Sequence, residues 1–239
     1  MWEAGQSEFD SVDHGQAVDF STRIDGYEKW YLSGKGRRYE LLERSMLLRM
    51  LPRLGACNVL EIGCGTGWWS TIMAGCGHIV TSIDISPAMI AAAVAKDVPK
   101  TRFVIADARE LPFASGAFDC VVAVTALEFT GDPRRTIREM VRCVDRRHGR
   151  IVILALDGSS AINRRRMARL DDVYRRGRLP AAAELRDWLS PHGHTEMHRC
   201  AYPLSLRLPC CLAGPVDRLQ GNLRIRGNAV LAAVTRISR

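Results

Sequence analysis

Three observations predict a doubly wound α/β sheet of seven mostly parallel strands, with a helical N-terminal lid. Apolar runs of strand length alternate with helical patterns from about residue 58 onward. Several runs, "FDCVVAVTAL" above all, are almost continuously apolar, as strands buried on both faces are. A glycine-rich turn, "GCGTG", follows the first strand, at the carboxyl edge where open sheets of this kind bind ligands.

The elements follow in order. Residues 1 to roughly 20 are polar and unpatterned, and a loose tip is expected there. From Tyr27 to Leu51 the pattern is helical: Leu41, Leu42, Met46 and Met50 recur at near-helical spacing, and Pro52 ends the run. "NVLEIG" reads as a strand, "WWSTIMAGC" as a helix ending at Gly75 or Gly77, and "HIVTSIDIS" as the second strand. In "SPAMIAAAVAKD", Ser86 is an N-cap and Pro87 occupies the first helical position. "TRFVIADA" and "FDCVVAVTAL" are strands three and four. Asp132 caps the next helix, with Ile137, Met140, Val141 and Val144 along one face. "GRIVILAL" is strand five, followed by short helices near 163–176 and 180–189. "TEMHRCAYPL" and "NAVLAAVTRI" close the sheet, separated by an irregular insert containing Pro and Gly.

Composition narrows the class. No apolar stretch approaches the roughly 18 residues of a membrane span, and "MWEAGQSEFDSVDHG" lacks the apolar region of a signal peptide. A cytoplasmic protein with reduced thiols is expected. None of the eight cysteines forms a C-x-x-C pair. Cys210 and Cys211 are adjacent, a pair that suits a soft metal but that chance also produces; no metal site is expected. The net charge of +8 comes in scattered arginine doublets and triplets interspersed with acids. Such scatter fits solvated helix faces better than a nucleic-acid surface.

The glycine loop excludes two ligand classes. Gly67 is followed by Trp68-Trp69, with no lysine for a phosphate-binding P-loop. Its spacing is G-x-G-x-G, and Trp68 occupies the position where a dinucleotide fingerprint requires glycine. A ligand close to the backbone but without pyrophosphate remains. Asp84, at the tip of strand two, is placed to accept both hydroxyls of a ribose. Asp107, at the end of strand three, is placed to accept from an exocyclic adenine amine, beside the Ala108 backbone.

"VLEIGCGTG", "IDISPAMI", "ADARELPFASGAFDCVVAV" and the Asp-Pro helix together resemble the class I S-adenosylmethionine-dependent methyltransferases. Within that class they are similar to the small-molecule branch that includes the ubiquinone and menaquinone methyltransferases. The resemblance is strong over residues 55 to 155 and implies S-adenosylmethionine as cofactor. It further implies that Glu61, Gly63, Cys64, Gly65 and Gly67 carry the methionine side of the site. Asp84 is then the ribose acid, Ile85 lies against the adenine, Asp107 and Ala108 hold the adenine edge, and Thr125 faces methionine and substrate. The chain departs from the family at the Pro-Gly-Gly turn before strand five, where "CVDRRHGRIVIL" keeps only Gly149.

The acceptor is less legible. The tetrad of base amino-methyltransferases and the Pro-Cys nucleophile of cytosine C5 enzymes are both missing after strand four. Residues 1–50 are read as the lid, and 51–239 as the cofactor-binding domain, with 158–194 and 203–227 as substrate-side insertions. Lid candidates are Tyr27, Trp30, Tyr31 and Arg37: the aromatics suit a sulfonium or cationic group, and the arginine a carboxylate. The same aromatics would equally anchor a helix. Glu128 and Tyr31 are the catalytic candidates, Glu128 being either a base or substrate contact or a structural acceptor. His192 and His194 either line the pocket or sit in a solvated loop. The expectation is methyl transfer to a small molecule, with the late insert covering the pocket, pairing with a second copy or touching a membrane surface. An RNA or protein methyltransferase and a non-catalytic cofactor-binding interaction protein are the rivals.

Overall fold

Seven strands, β1 (Asn58–Ile62), β2 (Ile79–Asp84), β3 (Thr101–Ile105), β4 (Cys120–Val124), β5 (Arg150–Leu156), β6 (Gly193–Cys200) and β7 (Val230–Ile237), form one sheet in the order β3-β2-β1-β4-β5-β7-β6. The computed structural model describes residues 16–52, 55–168, 176–223 and 228–237. β1 to β5 pair in parallel, and β7 runs antiparallel to both β5 and β6. The strand order reverses at β1, between β2 and β4, which opens the crevice at their carboxyl ends.

Period-two alternation sends the strands' side chains into two cores. Val59, Val122, Val152 and Val234 face one side, against Leu47 of α2 (Gly34–Met50) and Met73 of α3 (Trp68–Gly75). Leu60, Val121, Ile151 and Ala233 face the other, against Met140 of α5 (Pro133–Cys143) and Trp188 of α7 (Ala182–Leu189). Every residue of β4 is buried, as its continuous apolar run requires.

Local chemistry sets the helix ends. Ser86 Oγ accepts from Met89 N at the start of α4 (Pro87–Val94), and Asp132 Oδ1 accepts from Arg135 N at the start of α5. Ser86 is fully buried, so Ser86→Ala removes the partner of an orphan amide. It should cost about 1 kcal/mol, read as a lower urea midpoint with an unchanged slope. Asp145 replaces the missing Pro-Gly-Gly turn before β5. Its Oδ1 accepts from the N–H groups of Arg147 and His148, each at 2.8 Å, while Gly149 N donates to its carbonyl.

The structure differs from the sequence expectation in two segments and describes two others in part. The N-terminal helical run is two helices, α1 (Ile24–Leu32) and α2, broken at Ser33. Ser33 Oγ donates to Trp30 O at 2.7 Å and accepts from Gly36 N at 3.0 Å. A side chain at Gly36 would lie 1.8 Å from the Trp30 carbonyl oxygen, so the elbow requires glycine. The irregular insert contains α8 (Cys210–Asn222), helical despite Pro215 within it. The helix expected near 163–176 is α6 (Ala161–Met167); residues 169–175 lie outside the described residues. Of the polar N-terminus, 1–15 also lie outside them, whereas Val18 is buried and its N–H donates to Phe129 O at 2.8 Å.

Candidate cofactor and acceptor site

A cavity of about 780 Å³ opens at the crevice, within the size range of ligand pockets. The strand ends supply its floor: Gly63 and Gly65 after β1, Asp84 and Ile85 after β2, Asp107 and Ala108 beyond β3, and Thr125 after β4. α1 supplies the roof through Tyr27, Trp30 and Tyr31. The sequence-predicted cofactor and lid residues therefore converge on one space, with specific exceptions.

Backbone geometry explains the bare loop. Gly63 adopts φ 67°, and a Cβ there would lie 2.5 Å from Ala126 Cβ, so the loops after β1 and β4 can meet only if the residue is glycine. The α-carbon of Gly65 faces the Tyr27 ring. Thr125 has φ 47°, a strained conformation for a β-branched residue, fixed by its N–H bond to Leu154 O at 2.7 Å.

Asp84 accepts from Gly65 N at 2.8 Å through Oδ2 and from Ser86 N at 2.9 Å through Oδ1. Burial raises its pKa and these amides pull it back. A carboxylate offers about four lone-pair sites, so these bonds do not exhaust it. Asp107 is engaged differently. Arg109 donates to it from Nε and, at 2.7 Å, from Nη2, an ion pair that holds the Asp107 pKa below the usual range. Arg109 is a site residue that the sequence reading misses; its place two residues on, in "ADAR", is the available signal.

Four predicted cofactor or substrate residues do not line the cavity. Glu61 is 1% exposed and lies behind the loop, accepting from Ser82 Oγ at 2.8 Å and from Ser70 Oγ. It shares a face with Val59, so its side chain meets α3 and not the cavity. Cys64 turns inward, its N–H bonded to Ile83 O at 2.9 Å; burial pushes its thiol pKa far up. Gly67 caps α3 and faces Phe103 and Ala93. Glu128 is 1% exposed and its Oε1 accepts from Leu156 N, the geometry of the structural acceptor that was one of its two expected roles.

Arg37 is a further correction. It is exposed and lies off the cavity, which Lys35, Tyr39 and Glu43 line instead. Those three follow i, i+4, i+8 on α2, whereas Arg37 is about 200° around the helix from Lys35. Tyr31 is held in an aromatic cluster as well as at the cavity. It stacks on Trp68 at 4.6 Å and 9°, and accepts from Trp69 Nε1 at 3.2 Å. Tyr31 thus anchors α1 and lines the cavity at the same time. His192 and His194 lie off the cavity, His194 near Glu196 at the sheet edge. Cys211 is exposed on α8.

A reversed strand order, a glycine-floored crevice and acids at successive strand tips are features shared with nucleoside-binding α/β domains. Residues 60–153 match the family model described as "Methyltransferase domain". That match covers less than half of the chain, which over this stretch is similar to methyltransferase domains. It is 41% identical over 96 residues to the demethylmenaquinone methyltransferase of Mycolicibacterium vanbaalenii, covering 40% of each chain. It is 29% identical over 124 residues to the 18S rRNA (guanine-N(7))-methyltransferase bud23 of Schizosaccharomyces pombe, covering 52% of this chain and 46% of that one. The chain thus spans less than half the length of each of these two relatives. In fold it is similar to a Thermotoga maritima structure named a SAM-dependent methyltransferase, possible histamine N-methyltransferase. That likeness has a TM-score of 0.73 at 19% identity, covering 91% of this chain and 97% of the other.

Proposed function

We propose that this chain transfers the methyl group of S-adenosylmethionine to a small-molecule acceptor. The observation that carries this reading is one cavity running from the acids at the strand tips to the aromatic roof of α1. The fit to the cofactor rests on the bare Gly63–Gly65 backbone and on the carboxylate of Asp84, which line the cavity. S-Adenosylmethionine, when bound, supplies an electrophilic methyl on a sulfonium. The chain's own work is positioning. Asp84 holds the ribose, Asp107 and Ala108 the adenine edge, and the Gly63–Gly65 backbone the amino-acid end. The α1 aromatics, within residues 16–50 as lid, exclude water and face a cationic centre with their π-clouds. Residues 158–194 and 203–227 act on the acceptor side. No described side chain in the cavity is required as a base; an acceptor that arrives ionised or as an amine needs none.

The rRNA-modifying relative and the net charge of +8 favour RNA as the second reading. Radiolabelled S-adenosylmethionine incubated with a cell extract and the protein separates the two. Label in a low-mass, nuclease-resistant fraction is expected. Label confined to nuclease-sensitive or protease-sensitive polymer refutes the small-molecule reading, and no label in any fraction refutes transfer.

A further inference from the structure

Four basic side chains, Arg23, Lys35, Arg165 and Arg207, line the same cavity. They come from four separate segments: the 3-10 turn Ser21–Arg23, the first turn of α2, the middle of α6 and the 3-10 turn Ser205–Arg207. Resting on the methyltransferase reading, we propose that the acceptor carries an anionic group, held by Arg165 and Arg207, on a ring-containing or otherwise apolar body.

The charge balance of the cavity supports this. Its acids are Asp84, Asp107 and Glu43. Asp84 is bonded to backbone amides, Asp107 is ion-paired with Arg109, and Glu43 is buried on α2 with its own interaction. Lys35 lies 5.8 Å over the Trp30 ring. Among the described residues, Arg165 and Arg207 form no ion pair, so their charge faces the cavity unneutralised. The cofactor has one carboxylate, which a single cation satisfies. The surplus points to a second anion.

Both arginines stand on segments that buried polar groups hold in place. In α6, Asn163 Nδ2 donates to Asp157 O at 3.0 Å and to Ala229 O at 2.7 Å, while Asn228 Nδ2 donates to Asp157 Oδ2 at 2.9 Å. The turn bearing Arg207 is fixed by Asp217 of α8, which accepts from Tyr202 N at 3.0 Å, from Ala201 N at 3.2 Å and from Ser205 Oγ. Such networks are costly, the more so where an atom such as Asn163 Oδ1 has no partner among the described residues. Apolar residues would close the cavity as well, so the networks fit a need to orient what these segments carry. Arginine forks bind carboxylate or phosphate in two-bonded geometry. The same cavity is also lined by Trp30, Tyr39, Phe129, Leu156 and Ile162, which suit an apolar body and not a folded polynucleotide.

The test is calorimetric titration of the protein, saturated with S-adenosylhomocysteine, with 2-naphthoate and with its neutral analogue 2-naphthalenemethanol. The naphthoate should bind at least about ten-fold more tightly, the gain of one charge-assisted pair. In Arg165→Gln/Arg207→Gln the preference should vanish, while affinity for S-adenosylhomocysteine stays within about two-fold. Both arginines are exposed, and a circular dichroism melt checks that the variant folds. Equal binding of the two probes, no binding of naphthoate, or a preference that survives the double substitution overturns the proposal. So does loss of cofactor affinity in the double variant, which would assign the pair to the methionine carboxylate. An RNA oligonucleotide that displaces naphthoate with a steep salt dependence would assign it to nucleic acid. If the parent does not bind S-adenosylhomocysteine, the methyltransferase reading fails. The two probes are then compared on the protein alone, and that comparison still decides the anion site.

Discussion

Asp84→Ala should lower affinity for S-adenosylhomocysteine by at least about 100-fold, since two hydrogen bonds from ribose hydroxyls to a carboxylate contribute roughly 1.5–3 kcal/mol each and about 1.4 kcal/mol is a factor of ten. The two amides already bonded to Asp84 orient the carboxylate without exhausting its lone pairs. The substitution also frees Gly65 N, so a loosened loop would add to the loss. Asp84→Asn separates these contributions. Its one carbonyl oxygen can keep a backbone bond but cannot serve both hydroxyls as an acceptor. An intermediate loss of roughly ten-fold is expected, on the assumption that about one charge-assisted bond survives. On the proposed reading adenine takes the separate Asp107–Ala108 edge, so its weak affinity should be the same in parent and variants. Calorimetry giving equal S-adenosylhomocysteine affinity for parent and Asp84→Ala would remove the ribose role.

The parallel core and the floor of the site were legible because short-range chemistry dictates both. Ser86-Pro87 and Asp132-Pro133 announce their helices through caps visible in four residues. The strand-tip acids lie at fixed offsets from apolar runs, so the sequence alone places Asp84 and Asp107 at the crevice that they line. Legibility ended where side-chain direction or distant packing decides. Arg37 and Lys35 are equally plausible in sequence, and only the start of α2 at Ser33 turns Lys35 inward. Glu61 is next to the loop in sequence but on the α3 face in space, because the strand alternates. α8 escaped a search for apolar periodicity because its buried face is built from Ala213 and Asp217, with Gly221 close against Arg199 O. Those residues recur at i, i+4, i+8, yet one is an acid and one a glycine. Arg165 and Arg207 reach the cavity through tertiary contacts that no local pattern encodes.

Glu61→Gln should remove a pH dependence of stability between about pH 4.5 and 7. Burial raises the Glu61 pKa from 4.5 to about 7, against the lowering effect of the Ser70 and Ser82 hydroxyls. Across that window the native state keeps a proton that the unfolded chain has released. Stability from this group is full below the unfolded pKa and falls as pH rises through the folded one. A shift of this size corresponds to about 3 kcal/mol. The amide that Glu61→Gln introduces does not titrate, so the variant should equal or exceed the parent at pH 8 and trail it near pH 4. Because Asp84 and Asp217 also have raised pKa values, the difference between parent and variant is the quantity to measure, by urea unfolding at a series of pH values. The same proton links the fold to the proposed chemistry. Glu61 lies directly behind the glycine loop, so a cationic group bound over that loop favours its ionised form. Binding of S-adenosylhomocysteine, whose ammonium is such a group, should then release a fraction of a proton near pH 6.5. Calorimetry in buffers of different ionisation enthalpy reads that release directly. Parallel pH–stability profiles of parent and variant would show that the buried acid is not the titrating group. Equal proton release in both would separate Glu61 from the cofactor's ammonium.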